Sequence, residues 1–246
     1  MFPIRDHNPS TRTPVVTLAL IAANILVFLW ELQYSGSDRA LAEFFGRWAL
    51  VPAEATAQGD WLPLLTSMFL HGGLMHIAGN MLFLWIFGDN LEDQMGHLGF
   101  LAFYLASGAA AGLAHVAAAP LSDVPTVGAS GAIAGVMGGY LLLFPKARID
   151  VLIIIVVLYR VFPLPAWAIL GFWFALQVVL GLGSPVEGGG VAYWAHAGGF
   201  LAGLALALPL WFRRGATGFW DRTHGLPPHP GTEYTASRIP RVVRRR

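Results

Sequence analysis

Gly128–Phe144 reads GASGAIAGVMGGYLLLF, and the fold is decided by how this stretch is read. It contains no charge and stops at Pro145, ahead of Lys146 and Arg148. A surface helix of a soluble protein keeps a polar face, and this one would have none. Residues 14–34, 66–87, 98–119, 165–183 and 192–212 have the same character. Crossing the hydrocarbon core takes roughly 17–25 apolar residues of helix, which these stretches supply. The composition agrees: 56% of residues are hydrophobic and 12% charged, where soluble domains carry about 25% charge. Absence of cysteine excludes disulfides, thiolate metal ligands and a thiol nucleophile.

The expected fold is therefore an all-α membrane protein, a bundle of six transmembrane helices over 14–212. A polar arm, 1–13, precedes it, and a basic tail, 213–246, follows. The apolar run after Arg12 is longer than a signal-peptide core, so it reads as a retained helix. Residues 35–65 form an amphipathic connection whose Arg47-Trp48, Pro52 and Trp61 suit the membrane–water interface. The segment 149–165 is β-branched, and only about a dozen residues separate Asp150 from Pro163, too few to cross. It reads as an interfacial or re-entrant piece leading into the fifth span. A Gly-rich loop, 183–190, joins the last two spans. Six crossings put both termini on one side. Of 15 basic residues only Arg39 and Arg47 then fall outside, which leaves 13 on the cytoplasmic side. The tail reads as a disordered segment on that side. Membrane anchoring explains it more simply than nucleic-acid binding.

Polar side chains at membrane depth are costly, so each asks for a reason. Spans two, four and six run in the same direction. This places His71, His76, Asn80, Ser130 and His196 at one level in the outer half. Serine is a weak nucleophile that needs a base within hydrogen-bond reach, and His196, in Ala195-His196-Ala197-Gly198-Gly199, is the candidate. Gly131, Gly135 and Gly139 repeat every four residues below Ser130, and Gly199 and Gly203 do so below His196. Such faces let membrane helices touch. A serine alone is more often a packing residue, and a lone histidine a structural hydrogen-bond partner. The shared depth and the matched glycines favour a Ser130–His196 dyad.

His76 and Asn80, one turn apart, project from one face. They can donate to an oxyanion together with the Ser130 N–H, or they can bridge helices. A zinc site at His71 and His76 is weaker. On one helix they diverge by roughly 140°, and no suitable carboxylate or thiolate joins them. No metal and no other cofactor is expected. Ala132 stands at the second glycine of G-x-S-x-G, so a hydrolase elbow does not fit. Near His196 the sixth span has no Asp or Glu, and no third triad member is evident.

Over roughly 14–212 the chain resembles the rhomboid intramembrane serine proteases. The resemblance rests on His71…His76-x-x-x-Asn80, Gly128-Ala-Ser130-Gly131 and Ala195-His196-Ala-Gly-Gly, with Arg47-Trp48 similar to that family's membrane-lying loop. It implies a nucleophile at Ser130 and a base at His196. The oxyanion would fall to His76, Asn80 and the Ser130 backbone, with His71, Gly128, Gly131 and Gly199 in support. Glu92 resembles a position that steadies the turn after span two. Some members carry an aromatic that stacks on the histidine four residues after the serine, where this chain has Ala134. Orientation must then come from span two or five.

The implied substrates are transmembrane proteins, unwound locally and entering past span five, where Trp167, Phe172 and Trp173 offer a bulky edge. Membrane lipids are the other partners, and the compact design suits a multi-pass protein of a bacterial inner membrane. A non-catalytic binder of transmembrane helices is the alternative, although it would need neither Ser130 nor His196. A small-solute transporter is disfavoured by the lack of an intramembrane carboxylate and of an inverted repeat.

Overall fold

The computed structural model describes residues 2–8, 10–155, 158–184 and 190–226. Strand β1 (Phe2–Asp6) precedes helix α1 (Val15–Glu31), which a 3₁₀ turn extends to Tyr34. The long connection folds as α2 (Asp38–Trp48), α3 (Pro52–Gln58) and α4 (Pro63–Thr66, with a 3₁₀ turn to Phe69). Then come α5 (Leu74–Met95), α6 (His97–Ala118) and α7 (Ser130–Leu143). Strands β2 (Arg148–Ile155) and β3 (Leu158–Pro165) lead to α8 (Ala166–Gly183), α9 (Tyr193–Arg213) and α10 (Thr217–Thr223).

Among the described residues, four helices are long and apolar enough to cross a membrane: Val15–Tyr34, α6, α8 and α9. A fifth span arises if 63–69 and α5 count together, although they meet at a bend of 95°. The expectation of one continuous helix over 66–87 is thus corrected. The chain breaks before α5, which starts only after Gly73 at φ 152, a conformation side chains rarely tolerate. The helix then runs on through Asp89, Glu92 and Asp93.

At 14 residues α7 is shorter than the other apolar helices, yet it is buried along almost its whole length. It is the centre of the molecule, and its neighbours shield it from lipid. Tyr140, Met137 and Val136 join Phe87, Leu91, Phe100, Tyr104 and Phe200 in the main core.

The all-α expectation needs one amendment. Among its described residues the β-branched stretch 149–165 is not helical. It is a hairpin, and β1 completes a three-stranded antiparallel sheet in the order β1-β2-β3. Val and Ile favour strands, and pairing satisfies the backbone groups a short membrane excursion would leave open. Ile149 and Val151 point into the bundle core. Asp150, between them in sequence and facing the other way, receives hydrogen bonds from Arg5 Nε at 2.6 Å and His7 Nε2 at 2.7 Å. Burial pushes its carboxyl up, but these two partners outweigh that and hold it below the usual carboxylate value. The arm 1–13 is therefore an ordered part of the fold where it is described.

The tail also begins in order. Within α10, Phe219 is buried, and Trp220 Nε1 donates to the Leu142 carbonyl at 2.9 Å. The expectation of disorder from residue 213 onward is thus corrected for residues 213–226. Residues 185–189 of the Gly-rich loop and 227–246 of the tail lie outside the described residues.

Glu92 sits inside α5 rather than in a turn and reaches across to the start of α1. Its carboxylate accepts from the Val16 and Thr17 N–H groups, both at 2.8 Å, and from Thr17 Oγ1 at 2.7 Å. A negative group there satisfies helix-start donors and complements the helix dipole.

At the sheet end of the bundle, Asp6 accepts from Tyr140 Oη at 2.9 Å and Asn90 Nδ2 at 3.1 Å. Burial pushes the Asp6 carboxyl up from 3.8 to about 7; the Asp89 charge adds to the shift, and the Tyr140 bond only partly offsets it. The folded chain thus keeps a proton that the unfolded chain has released. Stability contributed at low pH is lost as pH rises from about 4 through 7. Thermal melts are expected to show a lower midpoint at pH 8 than at pH 5, and Asp6→Asn is expected to shrink that difference.

Candidate active site

Ser130 is the first residue of α7 and His196 the fourth of α9. The loop that delivers Ser130 is pinned on both sides. Leu50 and Thr126 exchange backbone hydrogen bonds, and the Gly128 N–H donates to the Ser67 carbonyl at 2.9 Å. Gly128 adopts φ +127, and a Cβ there would stand 2.8 Å from His76 Nε2. Only glycine meets both conditions.

The glycine faces do bring α7 and α9 together. A Cβ on Gly199 would run into the Gly131 carbonyl oxygen, and one on Gly203 into that of Gly135. The Cβ positions of Gly131, Gly135 and Gly139 themselves face α6, beside Ala111, Ser107 and Phe103, whereas on α7 it is Gly138 whose Cβ would strike the Phe200 carbonyl of α9.

This close approach sets Ser130 Oγ 2.8 Å from His196 Nε2. The other ring nitrogen, Nδ1, lies 2.8 Å from Gln177 Oε1, and Gln177 Nε2 donates to the Trp173 carbonyl at 3.3 Å. Trp173 also packs its ring on the imidazole, with centroids 5.6 Å apart at 35°. Orientation thus comes from α8, the fifth apolar stretch, in place of the aromatic missing at Ala134. Of the three bulky residues expected at the edge of α8, Trp167 and Phe172 face outward, and Trp173 faces the histidine.

The pair opens on a cavity of about 1020 Å³ that His76, Asn80, His115 and Trp173 also line. The Gly72 N–H approaches His76 Nδ1 at 3.4 Å, which leaves Nε2 as the ring donor, beside Gly128. One turn on, Asn80 is buried, and its Nδ2 has no hydrogen-bond partner among the described residues. The Ser130 N–H, in the first turn of α7, lacks an intrahelical acceptor. All three donors belong to residues that line the same cavity.

His71 lies elsewhere. It precedes α5, so the argument from angular spacing on one helix does not apply. Fully buried, it packs edge-on against His76 with ring centroids 5.1 Å apart, and its N–H donates to Glu31 Oε2 at 2.9 Å. Among the described residues no three His, Asp or Glu side chains are grouped as a metal would require.

Sequence reasoning missed two residues. Gln177 is the lone polar side chain in AWAILGFWFALQVVLGLG, and that isolation was its signal. His115, near the end of α6, bonds Thr126 Oγ1 at 2.9 Å on the cavity wall.

Comparison with known proteins fits this geometry. The Rhomboid domain family model matches residues 58–213. Rhomboid protease GluP of Bacillus subtilis is 34% identical over 203 residues, which cover 80% of this chain and 36% of that protein. Rhomboid protein 1, mitochondrial, of Saccharomyces cerevisiae is 31% identical over 198 residues, covering 76% of this chain and 50% of that protein. The chain thus spans about a third to a half of the length of these two relatives.

Proposed function

Because the chain belongs to the rhomboid family of multi-pass membrane proteins, we propose that it is an intramembrane serine endopeptidase acting through Ser130 and His196. The observation that carries this reading is the 2.8 Å contact between Ser130 Oγ and His196 Nε2 on the wall of a large cavity. His196 takes the hydroxyl proton as Ser130 attacks a substrate carbonyl, then returns it to the leaving amine. His76 Nε2–H, Asn80 Nδ2–H and the Ser130 N–H, at the positive end of α7, receive the oxyanion.

The substrate is a transmembrane segment whose helix unwinds near the scissile bond, where residues of low helix propensity lower the cost. It enters past α8, where Trp167 and Phe172 form a bulky outward edge. The short helix α7 and the bent 63–95 unit complete six crossings with both termini cytoplasmic. The bacterial inner membrane is the proposed host.

His76→Ala and Asn80→Ala are each expected to lower kcat by about 10²–10³-fold, as the loss of one oxyanion donor does elsewhere. KM is expected to hold, because the donors act on charge that forms only in the transition state. Steady-state cleavage in lipid vesicles checks this.

The reading itself is tested with purified protein and a labelled single-span substrate in vesicles. Cleavage by the wild type and none by Ser130→Ala supports it. Equal cleavage by both, or binding without any cleavage, overturns it; binding alone is what a non-catalytic relative would show.

A further inference from the structure

We propose that Gln177 is a positioning residue that sets the tautomer and orientation of His196, so that the base is competent only while α8 lies against α9. The inference rests on the dyad reading above.

A neutral imidazole carries one proton on either of two nitrogens. His196 can accept from Ser130 only if that proton is on Nδ1. Its Nδ1 faces the Gln177 amide at 2.8 Å, and an amide can present either its oxygen or its NH2 group. The NH2 group would drive the proton to Nε2 and block the base. Here the amide is held by its own helix. Gln177 Nε2 donates to the Trp173 carbonyl one turn back. Turning the amide over would set Oε1 against that carbonyl oxygen. The backbone of α8 therefore fixes the amide, and the amide fixes the proton. Trp173, on the same helix, packs on the imidazole and limits its rotation. Gln177 is buried, so water does not readily take the acceptor's place. A carboxylate would serve the same purpose, but a charge at this depth is disfavoured, and a neutral amide avoids it.

Both groups that orient the base belong to the helix past which substrate enters. When α8 swings out, His196 loses its acceptor and its packing surface together. Closure over a seated segment restores both. The enzyme is thereby selective for segments that let α8 return.

The test uses full-length Gln177→Leu and Gln177→Glu in vesicles, with two readouts. These are kcat and KM on a single-span substrate, and the rate of Ser130 phosphonylation by a small fluorophosphonate that needs no helix to enter and loses fluoride as the P–O bond forms. Loss of the acceptor is expected to cut kcat and phosphonylation alike by about 10–10²-fold, the scale of a misplaced catalytic group. KM is expected to stay within about twofold, and Gln177→Glu, which keeps an acceptor oxygen, to recover part of kcat. If Gln177 only latches α8 shut, Gln177→Leu instead speeds substrate cleavage and leaves phosphonylation unchanged, and the proposal fails. The wild type gives a check that does not depend on variant folding. ¹⁵N spectra of neutral His196 are expected to show Nδ1 protonated, and a proton on Nε2 overturns the inference. Wild-type protein that never cleaves in a Ser130-dependent way removes the dyad beneath it, a result separate from either Gln177 outcome.

Discussion

His196→Ala is expected to lower kcat by about 10⁴–10⁶-fold while the protein stays folded. Removing the base from a serine hydrolase costs this much because the hydroxyl then attacks with its proton in place, and the remaining rate comes from the oxyanion donors and substrate binding. Here the effect rests on the 2.8 Å separation of His196 Nε2 and Ser130 Oγ. The side chain left behind is small. Ser130 loses a partner but borders a cavity of about 1020 Å³, where water can replace the imidazole, and Gln177 keeps its bond to the Trp173 carbonyl. The melting midpoint is therefore expected to change little. Cleavage of a labelled transmembrane substrate and fluorophosphonate labelling of Ser130 are expected to fall together. Undiminished cleavage in this variant would exclude His196 as the base.

The second large effect is on the fold. Gly199→Val is expected to destabilise the protein by about 3 kcal/mol or more and to abolish activity. A Cβ at Gly199 would strike the Gly131 carbonyl oxygen on one side and stand 3.1 Å from Ala111 Cβ on another. A flexible side chain can swing aside, but a helix carbonyl cannot move without its helix. Relief then comes only if α7 and α9 part, and that motion draws Ser130 from His196. Gly171 on α8 is the control, since nothing lies within 4 Å of a Cβ there. Gly171→Val is expected to cost within about 0.5 kcal/mol. Thermal unfolding in detergent, followed for both variants, makes the comparison. Equal stability of the two would show that α7 and α9 do not depend on the glycine face.

The residues that meet in the site were legible because each is expensive where it sits. An isolated serine, histidine or asparagine in an apolar helix stands out, and glycine at regular spacing announces a close neighbour. Gln177 was equally visible as the lone polar residue of α8. Its role depended on a tertiary contact with α9 that no spacing within one helix reveals. The sheet was harder for a related reason. The length of 149–165 argued against a helical crossing, but the sheet is completed by a third strand about 145 residues earlier, around Arg5. Local pattern holds no record of so distant a partner. The bend before α5 was hidden because 66–87 is apolar on average, and hydropathy does not register a break at Gly73.

β3 ends at Pro165 and α8 begins at Ala166, with no residue between them to absorb motion. The strand and the helix therefore act as the two arms of one lever. Across the sheet, the far arm is coupled to the first few residues of the polypeptide. A fluorophore on β1 is thus positioned to report the tilt of a helix that begins only at Ala166, and an antibody or fusion partner that peels β1 away would act at a distance on the same lever.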